Sequence, residues 1–563
     1  MMDKLASPIR AWALCFALAI PTALALRSTP QVMFWVECFT ATLVVAAWLT
    51  TEARVRVGPL AVLLAVGVGV IAATQVSLAG AMVGLCVYLA LFWLANGLVA
   101  VDQVRTVRAV LAGLYCCALL QSAIGALQLA GVDLHGLVLA KIYQQAYGNI
   151  GQANHYAALL SLGLVAVIGG AKRFHVPRVV LACSVLGFAV FIAASASRAP
   201  WFYMIAFMLL GVWALRAPGG DARSAGKLAI ATGGTALAVQ VLFANSGLLD
   251  RLGVTSSIAR AADAGSNGQR LYDWSLAVSA IKAHPWLGVG VGGFHGWAVE
   301  QMPLTPHVPF SKFAEHAHNL PLHLAATMGL PFAVLFVGLA GWWLIRQLRV
   351  PMTPERLFAL CGLSVIGLHS MVEYPLWYAY FIIPAGLFCG ILSATDPGAR
   401  TFEVPAWAMK TLGAVFVVGL LWVARDYIIV ERAYADWSSR RSQTTDVERA
   451  RIRAELAGIS DWSIVADHAR SLELQTWKPV RATAARVAQQ CDAAFKARPS
   501  WGLGTHCLLA KGMAGDAAGV ERMSLVLCEG FPRHHGMLRE WAATADEYQP
   551  PVSVRSFNCL NSR

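Results

Sequence analysis

Charge is what this 563-residue chain has least of: only 13% of its residues are Asp, Glu, Lys or Arg, against 57% hydrophobic. Soluble domains carry roughly 25% charged residues. Together with a mean hydropathy of +0.58, the shortage excludes an ordinary soluble domain and indicates a polytopic membrane protein. Acidic residues are scarcer than basic ones, 31 against 44, which leaves a net charge of +13. An excess of that size suggests nucleic acid, but no basic face is present. The cations are scattered through short inter-helix loops, the pattern that sets membrane orientation, so no nucleic acid partner is expected.

Other absences narrow the chemistry. Glu315, His316, His323 and His307 invite a metal reading, yet helical positions 316 and 318 project about 200° apart, and no ligand spacing matches a closed site. Gly288-Val289-Gly290-Val291-Gly292-Gly293 fits the dinucleotide pattern G-x-G-x-x-G literally. It follows His284-Pro285-Trp286-Leu287 in a loop rather than a strand of a βαβ unit. It therefore reads as a glycine-rich turn packed on the membrane domain. No clean 34-residue repeat is visible in the polar C-terminal part.

Long hydrophobic runs are present in abundance. A membrane span needs about 20 predominantly apolar residues, which predicts helices near 11–27, 32–50, 59–76, 80–100, 107–130, 153–170, 178–196, 199–216, 228–245, 319–345, 356–372, 376–394 and 405–424. Ala23-Leu24-Ala25 faintly resembles a cleavage site, but an uncleaved first helix is expected. One side of this arrangement collects Lys4, Arg10, Arg54, Arg56, Arg105, Arg108, Lys172, Arg173, Arg178, Arg216, Arg223, Lys227, Arg346, Arg349, Arg356 and Arg400. The other side has only Arg27, Lys141 and Arg198 in its short loops. That bias places the N-terminus in the cytoplasm and, with thirteen spans, both the loop at 246–318 and the tail outside it.

Four units follow: transmembrane helices 1–9 over 1–245, a loop over 246–318, transmembrane helices 10–13 over 319–424, and an α-helical accessory domain over 425–563. Tail helices are expected near 430–457, 461–474, 479–496, 501–512, 515–529 and 534–546. Eight of the twelve cysteines lie in apolar segments as small buried hydrophobes. Cys491, Cys507, Cys528 and Cys559 fall in the tail, where an even number in an exported domain suggests up to two disulfides.

Ionisable residues at a membrane interface are costly to keep and mark function. His318 is the leading one, in Ala314-Glu315-His316-Ala317-His318-Asn319, where the polar loop meets an apolar helix opened by Leu320-Pro321. A base there has its unperturbed pKa near neutrality and can deprotonate a hydroxyl presented from water. An interfacial histidine bound to backbone is the plainer alternative. Arg198, after Ser195-Ala196-Ser197, is either a cation snorkelling to lipid headgroups or a guanidinium clamp for phosphate. Arg270, at the head of an amphipathic helix running to about Lys282, offers the same clamp or an i,i+3 pair with Asp273.

The loop Tyr147-Gly148-Asn149-Ile150-Gly151-Gln152-Ala153-Asn154-His155-Tyr156 brings Gln152, Asn154 and His155 to a helix mouth, where Asn154 is also a natural cap. His369, Glu373, Tyr374 and Tyr378 face the same compartment. Glu373 is placed either to orient His318 or an acceptor, or to cap the following helix.

In combination these segments resemble the bacterial O-antigen ligase and polymerase superfamily, and within it the protein O-oligosaccharyltransferases that glycosylate pilins. The resemblance rests on Pro285-Trp286-Leu287-Gly288-Val289-Gly290 leading to His318-Asn319, on Gly329 beyond it, on Gly148 to Asn154, on Glu373-Tyr374-Pro375-Leu376 and on the added tail. Phe332 departs from the ligase motif, which usually has a small residue or tyrosine there. The resemblance implies an all-α, glycosyltransferase-C-like membrane fold and a glycan donor on undecaprenyl pyrophosphate, in a bacterial inner membrane.

It also implies His318 as catalytic base, Arg198 and Arg270 as pyrophosphate ligands, and Gln152, Asn154, Tyr374, Glu373, Asn319 and Lys141 around the substrates. A pilin-like periplasmic protein is the expected acceptor, with no cofactor and no metal. The same chemistry on a lipid A–core or a growing glycan is the alternative. A transporter would carry ionisable groups at the midplane and inverted repeats, neither of which is seen.

Overall fold

The computed structural model describes residues 2–531 and 534, except 51–54, 58–78, 247–253, 255–263, 306–307, 309–311, 400–401, 441–443 and single positions 133, 135, 143 and 479. The helices expected at 59–76 and 534–546, together with His307 and Cys559, lie outside the described residues. What is described is a bundle of α-helices with one short antiparallel ribbon, Val55–Val57 paired with Phe402–Val404. Among the described residues, six helices are long and apolar enough to cross a membrane: Ala79–Val101, Gln103–Leu129, Ala153–Gly170, Gly220–Asn245, Leu330–Arg349 and most of Ala406–Arg440. Shorter apolar helices, among them Phe34–Leu49, Arg178–Ala194, Ala199–Ala214 and Ala379–Ala394, fill the spaces between them.

Position in the bundle follows burial. The Ala153–Gly170 span is 89% buried and stands at the centre, whereas Leu330–Arg349 is only 11% buried. A helix apolar on all faces needs either a protein core or lipid around it, so Leu330–Arg349 is a peripheral, lipid-facing element.

At three places a backbone feature makes the observed helices differ from the expected ones. The first runs Met2–Ala19 and gives way to a 3₁₀ turn at Pro21–Ala23, because a proline there has no N–H to continue the ladder. The single helix expected over 319–345 is broken into Leu320–Met328 and Leu330–Arg349. Gly329 at φ 89° ends the first half, and Pro331 suits the first turn of the second. The expected 430–457 helix is two: Ala406–Arg440 continues unbroken past residue 424, and Asp446–Ala457 opens with a Thr445/Glu448 capping box. Pro354–His369 and Ala379–Ala394 flank a further 3₁₀ turn at Pro375–Trp377.

Contacts sort the loops onto two faces. On one, the ribbon joins the segments beside Arg54 and Arg400, Arg173 pairs with Glu355 at 3.0 Å, Lys172 with Asp221, and Arg346 with Asp396 at 3.2 Å. These are the cation-rich loops. The other face gathers Arg27, Asn149, Asn154, Ser197, Arg270, His318 and Glu373.

The long loop contributes Ala264–Ala283 and Phe294–Gln301 to this second face and is sewn to the broken helix by main-chain bonds. Val289 N–H donates to the Ala326 carbonyl (2.9 Å), Gly290 to Thr327 (3.0 Å), and Leu330 to Pro285 (2.8 Å). Only glycine fits this seam: a Cβ on Gly288 would meet the Thr327 carbonyl carbon at 2.4 Å, and one on Gly329 would meet the Trp286 carbonyl oxygen at 2.0 Å. The literal G-x-G-x-x-G match is thus a close-packed turn.

In the tail, Ala466–Thr476, Arg481–Ala497, Trp501–Met513 and Ala517–Gly530 stack as short helices, with Cys491 and Cys507 joined in a disulfide. Cys528 is disulfide-bonded as well. Their core takes in Val299 and Met302 from the long loop. Lys312, fully buried, bonds Glu529 at 2.7 Å and the carbonyls of Thr305 (3.0 Å) and Met302 (3.4 Å). Loop and tail are packed as one body behind the broken helix.

Candidate active site

Glu373 is the hub. It is only 3% exposed and lies in the turn after Pro354–His369, whose last carbonyl accepts its N–H at 2.8 Å. An ionised carboxylate this deep needs paired donors, and three elements supply them. His318 Nδ1 lies 3.0 Å from Oε2, Arg270 Nη2 2.8 Å from Oε1, and Asn154 Nδ2 2.6 Å from Oε1. Gln152 Nε2 reaches only 3.5 Å from Oε2, at the outer limit of a hydrogen bond. Asn154 Oδ1 in turn accepts from Ser197 Oγ at 2.9 Å.

Local structure explains why these side chains meet. Asn319 caps Leu320–Met328 by accepting from Leu322 N–H at 3.1 Å, and its amide donates to the Met371 carbonyl at 3.2 Å. Leu320 N–H also donates to Ser370 at 2.8 Å. The start of the broken helix is therefore fastened to the Glu373 turn. His318 is held at φ 49°, a left-handed conformation uncommon outside glycine; strain of this kind clusters where geometry serves function. Asn154 is not a cap, since Gln152 occupies that position; from the helix's first turn Asn154 reaches Glu373 instead. Arg270 does not take the Asp273 pairing that its spacing allows; Asp273 Oδ1 accepts from Gln269 Nε2 at 3.1 Å. Nor does Glu373 cap the next helix, which starts at Ala379.

The electrostatics are consistent with a dyad. Burial opposes the charged form of Glu373, but the hydrogen bond and charge of His318 and the charge of Arg270 outweigh it and hold the carboxyl well below its usual range. Burial likewise opposes the imidazolium of His318, while the bond to Glu373 and the charges of Glu373 and Asp273 raise its pKa above the ordinary 6.5. A carboxylate accepts, so Nδ1–H of His318 donates and Nε2 carries the lone pair. Asp273, 1% exposed, is pushed up to about 6, chiefly by burial.

The remaining sequence-derived residues take various places. Arg198 begins the Ala199–Ala214 helix directly after Ser197, one residue from the Ser197–Asn154–Glu373 chain. Tyr374 lies with its ring 5.0 Å from that of His318 and 4.3 Å from that of His316. Lys141 lies half-buried in the loop that Tyr147 ties down through Ile142 N–H at 2.8 Å; among the described residues no bond joins it to Glu373. His155 and His369 are buried behind the site, bonded to Tyr380 (2.9 Å) and Tyr203 (2.8 Å).

A cavity of about 350 Å³ opens beside the dyad, lined by Gln269, Asp273, His295, Phe313, Ala314, Glu315, His316, His318 and Tyr374. Sequence reasoning did not assign Gln269 or Ser197 a role. The i,i+4 spacing of Gln269 and Asp273 was the one signal available; Ser197 had none.

Comparison with known proteins places the chain among glycan-transferring families by similarity. Residues 182–337 match the family described as O-antigen ligase, 357–545 the C-terminal part of a virulence factor membrane-bound polymerase, and 146–168 a protein glycosylation ligase. A general O-oligosaccharyltransferase of Acinetobacter baylyi is 28% identical over 328 residues, 56% of this chain and 55% of that protein. A ComP-specific O-oligosaccharyltransferase of the same organism is 24% identical over 123 residues, 22% of each. The chain thus spans about half the length of the longer match. These matches bear out the resemblance read from the motifs.

Proposed function

We propose that this chain, resembling the protein-glycosylating branch of the O-antigen ligase superfamily, is an oligosaccharyltransferase. It moves a glycan en bloc from undecaprenyl pyrophosphate to Ser or Thr hydroxyls of a pilin-like protein. In this reading it sits in a bacterial inner membrane, with the N-terminus cytoplasmic and both the Glu373 face and the tail periplasmic. The observation that carries it is the buried Glu373 carboxylate holding His318 by Nδ1 and Arg270 by Nη2. A base is thereby oriented next to a guanidinium whose other N–H groups remain for a phosphate.

The chemistry follows. His318 Nε2 takes the proton of the acceptor hydroxyl as its oxygen attacks the anomeric carbon, and Glu373 stabilises the imidazolium that forms. The bond from that carbon to the pyrophosphate oxygen breaks, and undecaprenyl pyrophosphate leaves as an anion. Arg270 and Arg198 neutralise the charge that builds on it; preorganised cations in a water-poor site are well suited to this. Direct displacement inverts the anomeric centre. His318 then releases its proton to water. A lipid A–core acceptor is the second reading, favoured by the O-antigen ligase match over 182–337.

The test is transfer of lipid-linked glycan to purified pilin by wild type and His318→Ala, with and without EDTA. Wild type should transfer in both conditions, and the variant should bind donor without transferring. Normal transfer by His318→Ala overturns the site. Labelling of lipid A–core alone, with pilin unmodified, replaces the protein acceptor with the second reading.

A further inference from the structure

Resting on that transferase reading, we infer that the cavity beside His318 seats the first sugar of the glycan donor, with Asp273 and Gln269 reading its hydroxyls. Geometry leaves this sugar little choice of place. Its anomeric carbon must lie between the leaving phosphate, at Arg270, and the acceptor oxygen, at His318, so the ring projects to one side of that line. Asp273 and Gln269 flank Arg270 on the same helix, at i+3 and i−1, and both line the cavity together with His318.

The lining has the chemistry of a carbohydrate subsite. Asp273 is buried, and only its Oδ1 is bonded, to Gln269 at 3.1 Å; Oδ2 has no hydrogen-bond partner among the described residues. A carboxylate has acceptor capacity for several donors, so Asp273 can take a sugar hydroxyl while Gln269 offers its carbonyl oxygen. Glu315 adds a second carboxylate, already steadied by Arg498 and by His295 at 3.6 Å. Tyr374 and Phe313 present aromatic surface to the C–H face of a ring. At about 350 Å³ the space is at the low end of small-molecule pockets, roughly 300–1,000 Å³. That volume suits a sugar better than a folded acceptor.

The experiment measures binding of undecaprenyl pyrophosphate, bare or carrying N-acetylglucosamine, to the full-length protein and its Asp273→Asn and Gln269→Leu variants. Wild type should bind the sugar-bearing lipid more tightly than the bare one. Loss of a hydrogen bond to a charged group is worth about tenfold and of one to a neutral group roughly a few-fold, so Asp273→Asn should lose about tenfold of the margin and Gln269→Leu less, both binding bare lipid unchanged. Equal binding to bare lipid also shows that each variant is folded. The inference is overturned if wild type shows no margin, if both variants keep it, or if the variants raise the KM for acceptor protein instead; the last result assigns the cavity to the acceptor. If wild type binds with an Asp273-dependent margin but transfers nothing to any acceptor, the transferase reading fails and the sugar subsite stands.

Discussion

Two buried charges organise the loop side of this molecule, and they are used in opposite ways. Lys312, between loop and tail, has three N–H donors and three partners: Glu529 and the carbonyls of Thr305 and Met302. Its hydrogen-bonding capacity is filled, and no part of it is exposed. Glu373 is buried as deeply, but the side chains it holds are not: His318 is 27% exposed and Arg270 26%. Each gives one nitrogen to the carboxylate and, in the proposed reaction, has others for the substrates. A closed pair of this kind maintains shape, whereas an open one maintains readiness, and only the second needs a substrate to complete it.

Substitutions should separate the two. The largest effect is expected at His318: general-base catalysis contributes roughly 10²–10⁴-fold, so His318→Ala should lose at least about a hundredfold in transfer rate with only a modest loss of thermal stability, because Arg270 and Asn154 still hold Glu373. Lys312→Met should do the reverse. Breaking a buried pair costs about 3–5 kcal/mol, so loosening of the tail should show in limited proteolysis. Adding Glu529→Leu should restore much of the loss, because no unpaired carboxylate then remains.

Glu373→Gln comes next. As the proposed base, His318 must be neutral to accept a proton, and its pKa is raised above 6.5, so the wild-type rate should climb as pH rises through that higher value. Without the carboxylate, burial and the charge of Arg270 act against the imidazolium. The acid limb of the pH–rate profile should move to lower pH, while the plateau falls, because His318 loses the acceptor that fixes its tautomer and orientation. A limb that stays in place would break the dyad. The smallest effect is expected at Arg498→Ala, whose partner Glu315 is 45% exposed. A surface pair is worth about 0–1 kcal/mol, so stability measured by thermal unfolding should barely change.

What the sequence reveals of this arrangement depends on how local the cause is. Apolar length and cation bias predict the spans, and His318-Asn319 with Pro321 marks a helix start, because capping is decided within four residues. Gly329 and Pro331 signal a break, yet a long apolar run conceals it, since hydrophobicity says nothing of φ. Glu373 as a common hub is invisible in the same sense: its three donors lie 55, 103 and 219 residues away, and no spacing encodes their meeting. Arg270 shows the hazard of local reasoning. Asp273 is its obvious neighbour by sequence, but the arginine pairs with a residue that only tertiary packing brings near.

The seam between the long loop and the broken helix has one more consequence. Its bonds run between main-chain groups, from Val289, Gly290 and Leu330 to Ala326, Thr327 and Pro285, and these groups are common to nearly every amino acid. Apart from the few glycines that permit the close approach, the fastening does not depend on side-chain identity. Side chains lining the cavity above it can therefore be exchanged while the stitch that keeps the loop in register stays intact.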